Sequence, residues 1–106
     1  KLEKSDEAIR DSIIKKFEYT FELTWKTLKA YLEDEGYQEI ASPKRTLKQA
    51  FEIGIIKDEE VWANMLEARN STAHTYDEEK AIYYGDVIKN KYINKIEELV
   101  KKLNEV

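Results

Sequence analysis

The sequence predicts an all-α protein, an up-and-down antiparallel four-helix bundle that forms a single domain over residues 1–106. Apolar residues recur at intervals of three or four positions in four successive segments, which is the pattern of helices with one buried face. The connections between these segments are short, and short connections favour antiparallel neighbours. No strand-length stretch alternates apolar with polar residues. A chain of 106 residues has room for one hydrophobic core without a disulfide or a structural metal.

The first predicted helix begins near Ser5 and continues to Gly36, a residue type suited to a helix C-cap. No glycine or proline interrupts it, so we expect about thirty residues, more than the usual helix length. Its apolar side chains follow a helical spacing, which favours a core stripe over a surface for stacking ligands. The stripe consists of Ile13, Phe17, Phe21, Trp25, Leu28 and Leu32.

The second predicted helix has distinct boundaries. Ser42 is a favoured N-cap residue, and Pro43 suits the first helical position because the missing N–H has no intrahelical partner there. Gly54 is expected to end the helix after about three turns. The face toward the core is expected to carry Leu47, Ala50, Phe51 and Ile53.

The third predicted helix starts near Glu59 and contains a charge within its apolar face. The inward positions are Val61, Trp62, Met65 and Leu66. Arg69 follows Trp62 by seven residues and Met65 by four, which predicts that it lies at the centre of this face. A charge that breaks a pattern in this way often marks a functional or strained site. An arginine can also extend its charge to solvent or pair with a carboxylate, so both interpretations stay open here.

The last predicted helix begins near Asp77 or Glu78. Thr75 and Glu78 have the spacing of a capping box, in which each side chain bonds the backbone of the other. Gly85 lowers the helix propensity by about 1 kcal/mol relative to alanine, and we expect it to allow close approach of another helix. The buried stripe is expected to contain Ala81, Tyr84, Ile88, Tyr92, Ile96, Leu99 and Leu103.

The composition limits the classes of function. Without cysteine, neither a disulfide nor a thiolate metal site can form, which fits a cytoplasmic protein. No apolar run approaches the roughly 20 residues that span a bilayer, so we expect a soluble protein with no membrane partner. The net charge of −4 disfavours general affinity for nucleic acid, and any RNA site must therefore be local.

The stretch from Arg69 to Glu78 holds the chemistry that the sequence offers, because it includes the only histidine, His74. A histidine with a pKa near 6.5 can exchange a proton with an RNA 2′-hydroxyl or with the leaving oxygen, while an arginine stabilises charge on the phosphoryl oxygens. Asn70 could orient the substrate or the imidazole. One histidine cannot easily serve both sides of one phosphorus, but a two-fold dimer would supply a second copy.

Two other interpretations compete with catalysis at this stretch. His74 could be a loop or capping residue without a chemical role. A metal site built from His74, Asp77, Glu78 and Glu79 is disfavoured, since neither a Glu-x-x-His pair nor a second histidine is present. We therefore predict neither a metal nor a cofactor.

Several motifs in the chain occur together in a recognisable order. They are Phe17-Glu18-Tyr19-Thr20-Phe21-Glu22-Leu23-Thr24-Trp25-Lys26, Ser42-Pro43 with Ala50-Phe51 and Gly54, Trp62, Met65-Leu66-Glu67-Ala68-Arg69-Asn70, and His74-Thr75-Tyr76-Asp77-Glu78. With these motifs, residues 13–88 resemble the nucleotidyltransferase substrate-binding protein family, a branch of the HEPN superfamily.

The resemblance implies a bundle similar to the C-terminal domain of kanamycin nucleotidyltransferase, usually a homodimer, with a separate minimal nucleotidyltransferase as partner. In related toxin–antitoxin pairs an Arg-x4-His-x-Tyr motif serves a metal-independent ribonuclease. Carried over, the motif falls on Arg69, His74 and Tyr76, with Asn70 as the polar residue that commonly follows the arginine. The partner in such pairs can transfer AMP to the tyrosine, here Tyr76.

Two alternatives remain beside that implication. The protein could be a non-catalytic module that presents a substrate or a regulatory surface to the nucleotidyltransferase, with the same motif used for recognition. Tyr76 could simply pack over the loop. Neither alternative is decided by the residues themselves.

Overall fold

The computed structural model describes residues 2–72 and 78–105, and within these ranges the regular secondary structure is entirely helical. The last helix is continuous but passes through a π-helical turn. The elements are α1 (Leu2–Asp34), α2 (Pro43–Glu52), α3 (Glu59–Thr72), α4 (Glu78–Val87), the π turn (Ile88–Tyr92) and α5 (Ile93–Asn104). The predicted all-α four-helix bundle is confirmed.

The helix boundaries follow local residue chemistry. The Ser42 hydroxyl accepts a hydrogen bond from the Arg45 backbone N–H at 3.2 Å, and Pro43 occupies the first turn of α2, as predicted. Gly36 and Gly54 follow α1 and α2 with φ of 97° and 84°. This left-handed conformation costs glycine little, so these two residues end their helices.

The long helix α1 is the centre of the fold, because α2, α3, α4 and α5 all pack against it. The core is formed by its aromatic stripe and by apolar residues of the other helices. The buried hydrophobic residues are Phe17, Phe21, Trp25, Leu28, Leu32, Ile40, Leu47, Ala50, Ile56, Trp62, Met65, Ala68, Ile88, Tyr92, Ile96 and Leu99. Most of the predicted core stripe in α1 and the centre of the predicted stripe in the last helix are therefore confirmed.

Contacts between side chains show the directions of the long elements. Arg69 contacts Glu22 and Thr72 contacts Glu18, so α3 runs antiparallel to α1. The last helix then returns alongside α1, where the rings of Phe17 and Tyr92 lie 5.8 Å apart. Because Gly85 meets Arg10 and Tyr92 meets Phe17, the last helix runs parallel to α1 and antiparallel to α3. The predicted up-and-down order would instead make α3 parallel to α1, so the bundle is confirmed but the order of helix directions is not. None of the described helices is long and apolar enough to cross a membrane.

Two residues predicted in the core of α2 lie at the surface. Phe51 and Ile53 are each 37 % exposed, and Thr46 is buried in their place. The Thr46 hydroxyl donates a hydrogen bond of 2.8 Å to the Ile40 carbonyl, which removes the cost of burying it. The short helix α2 buries only Thr46, Leu47 and Ala50, and Ile56 from the following loop is buried as well.

Gly85 allows the close helix approach that its position predicts. A Cβ atom at this residue would lie 2.9 Å from Cγ of Arg10 on α1. Three residues further along, the π turn begins and carries the buried Ile88 and Tyr92. Burial raises the pKa of Tyr92, with smaller contributions from Tyr83 and other neighbours.

Candidate functional site

The last turn of α3 is fixed to α1 by two acidic side chains. The guanidinium Nη2 of Arg69 donates to the Glu22 carboxylate in an ion pair. The Thr72 hydroxyl donates to Oε2 of Glu18 at 2.6 Å. Glu18 and Glu22 are one turn apart on α1 and therefore lie on the same face. We refer to these four residues as the α1–α3 clamp.

Arg69 lies at the edge of the buried face of α3, not at its centre as the spacing predicted. The centre is formed by Trp62, Met65 and Ala68, which are all buried. Ala68 occupies the buried position next to Arg69, so the arginine falls beside the buried face. Its side chain is 28 % exposed. The carboxylate pairing considered for this arginine is what the structure contains.

Arg69 is also bonded to its neighbour Asn70, whose amide oxygen accepts from Nη1 at 3.1 Å. A guanidinium group has five N–H donors in a rigid fork. Glu22 and Asn70 are the two side-chain acceptors that bond it within residues 2–72 and 78–105. The ion pair to Glu22 orients this fork.

The electrostatics of the clamp keep Glu22 ionised. Partial burial raises the pKa of this carboxyl. This effect is outweighed by the hydrogen bond from Arg69, the nearby Trp25 indole and the charges of Arg69 and Lys26, so the pKa lies below its ordinary value. The Trp25 N–H itself forms no hydrogen bond of ordinary geometry with the described residues. The Lys26 ammonium lies 3.5 Å from the same carboxylate. Glu22 thus contacts two cations, and an incoming phosphate must compete with it for Arg69.

The structure brings Arg69 and Asn70 together on one turn of α3. His74 and Tyr76, the other two predicted site residues, fall in 73–77 and lie outside the described residues, as does Thr75 of the predicted capping box. The chain is described again from Glu78, whose carboxylate lies 3.7 Å from the Arg10 guanidinium. The spacing of Arg69 and His74 therefore remains a sequence-based prediction of a shared site.

Sequence reasoning missed Glu18, Glu22 and Thr72 as parts of the site. Each glutamate directly follows a core phenylalanine of α1, so both border the buried stripe. A pair of acidic residues four positions apart at the edge of a core stripe was the available indication. It predicts a partner cation on a neighbouring helix, but it does not identify which one.

Comparison with known proteins places this geometry in context. Residues 1–105 match the model of a family described as "Nucleotidyltransferase substrate binding protein like". A curated protein of Haemophilus influenzae, "Probable ribonuclease HepT", is 37 % identical over 73 residues, which cover 65 % of this chain and 50 % of the relative. The chain thus spans about half the length of the curated relative that it matches.

A similar fold occurs in the crystal structure of a protein from Thermus thermophilus. Its TM-score is 0.82 at 36 % sequence identity, and the match covers 89 % of this chain and 80 % of that one. The helical arrangement, the motifs and the family match over nearly the whole sequence agree with one another. The chain therefore belongs to the nucleotidyltransferase substrate-binding protein family of the HEPN superfamily.

Proposed function

We propose that this protein is the HEPN-type subunit of a prokaryotic toxin–antitoxin pair, a metal-independent homodimeric ribonuclease that binds a separate minimal nucleotidyltransferase. The observation that carries the proposal is Arg69, which is oriented by Glu22 and Asn70 at the end of α3, five residues before the only histidine. The name of the Haemophilus relative supports nuclease activity, and the family description supports the partner. A pair that uses RNA and nucleotides is expected in the cytoplasm.

The proposed reaction divides the proton transfers between two copies of the chain. His74 accepts the proton of the RNA 2′-hydroxyl as that oxygen attacks the adjacent phosphorus. The bond from phosphorus to the 5′-oxygen breaks, and this oxygen takes a proton from the partner subunit's His74. The products carry a 2′,3′-cyclic phosphate and a 5′-hydroxyl. Arg69 stabilises the charge on the non-bridging phosphoryl oxygens, and Asn70 holds its guanidinium in place.

Control of this activity is proposed to act on Tyr76. Its hydroxyl would attack the α-phosphorus of ATP bound by the nucleotidyltransferase, forming a phosphodiester bond to AMP and releasing pyrophosphate. The added group carries bulk and negative charge into a site two residues from His74, where it would repel RNA phosphate.

The test is cleavage of a mixed RNA pool in EDTA by the purified protein and its variants. The wild type should produce cyclic phosphate ends, and His74→Ala should lower the rate by at least about 100-fold, the range expected for a general acid–base group. Asn64→Ala, at an exposed position of the same helix as Arg69, is the control and should retain full activity. No cleavage by the wild type would overturn the nuclease proposal.

A second candidate function is the non-catalytic module that presents a substrate or regulatory surface to the nucleotidyltransferase. The charge balance of the α1–α3 clamp favours it, because Arg69 is already paired with Glu22 and the whole chain carries a net charge of −4. This function predicts tight binding to the nucleotidyltransferase together with undetectable cleavage by the wild type. Substitution of Arg69 would then weaken that complex.

A further inference from the structure

A groove with a volume of about 310 Å³ lies between α2 and α3 and ends at Asn70. We call it the α2–α3 groove. Leu47, Ile56 and Leu66 form part of its apolar floor. This volume is near the lower limit for pockets that hold small organic ligands, which typically combine an apolar floor with a few polar groups at the edge.

The two walls of the groove carry opposite charges. Lys44 and Lys48 lie one turn apart on α2, whereas Glu59 and Glu67 lie on α3. The two lysines are exposed, and neither has a carboxylate within ion-pair distance in the part of the chain that the structure describes. They differ in this from Lys26, Lys29 and Lys95, which are paired.

We propose that the α2–α3 groove binds a nucleotide, with its base on the apolar floor and its phosphate on Lys44 and Lys48. A nucleobase has apolar faces and an edge that donates hydrogen bonds, which the carboxylates on α3 can accept. A phosphate is attracted to cations, and no described carboxylate competes for Lys44 and Lys48 on α2. An ordinary apolar side chain of a partner protein would use the floor but neither charged wall.

The groove is continuous with the candidate catalytic residues. Asn70 lines its end, and the amide oxygen of Asn70 accepts a hydrogen bond from Arg69. An RNA nucleotide seated in the groove would therefore lead the adjoining phosphodiester toward Arg69. In this respect the inference rests on the proposed function. The same chemistry would hold a free mononucleotide such as AMP, and the experiment separates these two sources.

The experiment measures binding without cleavage. The probes are a fluorescent single-stranded 2′-O-methyl oligoadenylate, which lacks the attacking hydroxyl, and AMP as a competitor. Lys44→Gln/Lys48→Gln removes the cations, and Ala63→Leu fills the groove from an exposed position. The matched controls are Lys89→Gln/Lys101→Gln and Ala30→Leu, which make the same changes at exposed positions elsewhere.

Loss of two phosphate contacts should weaken RNA binding by roughly 10- to 30-fold near 0.1 M salt and lower the salt slope by about 1.4, since each contact to a single strand releases about 0.7 counterion. Ala63→Leu should also weaken binding, and both controls should match the wild type. Circular dichroism melting confirms that each variant is folded. Competition by AMP at concentrations similar to those of RNA would assign the groove to a mononucleotide, and its failure would assign it to RNA.

The proposal would be overturned if the groove variants bound RNA and AMP as tightly as the wild type does. The proposal would also be overturned if the wild type bound neither probe. If Ala63→Leu then lost binding to the nucleotidyltransferase, the groove would be assigned to the protein partner. Failure of the nuclease proposal gives a different pattern. In that case the RNA pool stays uncut while the groove variants still lose binding to the oligonucleotide.

Discussion

Replacing Glu22 by glutamine tests the α1–α3 clamp with little change in volume. The ion pair of Glu22 and Arg69 is partly buried, with side-chain exposures of 32 % and 28 %. Exposed pairs contribute about 0.2–1 kcal/mol, and hydrogen bonds to charged groups contribute about 1.5–3 kcal/mol. A pair of intermediate exposure should therefore contribute about 1 kcal/mol to the free energy of unfolding. For a domain of this size, that loss lowers Tm by about 4–8 °C.

The effect should depend on pH with a definite sign. The pKa of Glu22 in the folded protein lies below its ordinary value of 4.5. The ionised form is thus favoured by folding, and the stabilisation is fully present above the pKa of the unfolded chain. It is lost as the pH falls through the lower pKa of the folded state. The stability difference between the wild type and Glu22→Gln should be greatest near neutral pH and should shrink under acid conditions.

Urea unfolding followed by circular dichroism measures this difference at a series of pH values. Glu33→Gln is the control, because Glu33 also pairs with a lysine one turn away but its side chain is 52 % exposed. Its effect should stay below about 0.5 kcal/mol. A double-mutant cycle with Arg69→Gln should give a coupling of about 1 kcal/mol. Zero coupling, or a difference between wild type and Glu22→Gln that does not change with pH, would refute the clamp.

Two further predictions concern the packing of the bundle. Thr46→Val should destabilise the protein by about 1–2 kcal/mol in urea unfolding, because the Ile40 carbonyl loses its buried donor, whereas Thr27→Val at an exposed position should change little. In an Arg10→Ala background, Gly85→Ala should stabilise the protein by about 1 kcal/mol, because alanine has the higher helix propensity. In the wild type the gain should be clearly smaller, because the new Cβ atom at residue 85 meets Arg10. Equal thermal shifts in both backgrounds would contradict the close approach of α1 and α4.

Elements with strong local preferences were predictable from the sequence. Ser42 with Pro43 marks the start of α2, because both residues act through the backbone of their own turn. Burial near helix ends was less predictable, as the exposed Phe51 shows. Its hydrophobicity favours the core, but whether a side chain reaches the core depends on how the short helix is placed against its neighbours.

The candidate site shows the same division between local and distant information. Arg69 and Asn70 were identified by their types and their distance from His74 along the chain. Their partner Glu22 lies 47 residues from Arg69 in sequence, and that pairing depends on the antiparallel arrangement of α1 and α3. Periodicity places Glu22 beside the core stripe, but only the packed helices bring it to the arginine.

The π turn has a consequence for comparing this chain with its relatives. Its backbone hydrogen bonds span one residue more than those of an α-helix, so the turn accommodates one additional residue. Ile96 follows Tyr84 by twelve residues, so in a regular α-helix the two side chains would point about 120° apart. Both nevertheless pack against the same core. A relative with a regular helix here should therefore show a one-residue gap in its alignment within 88–92, with every core position on either side still matched.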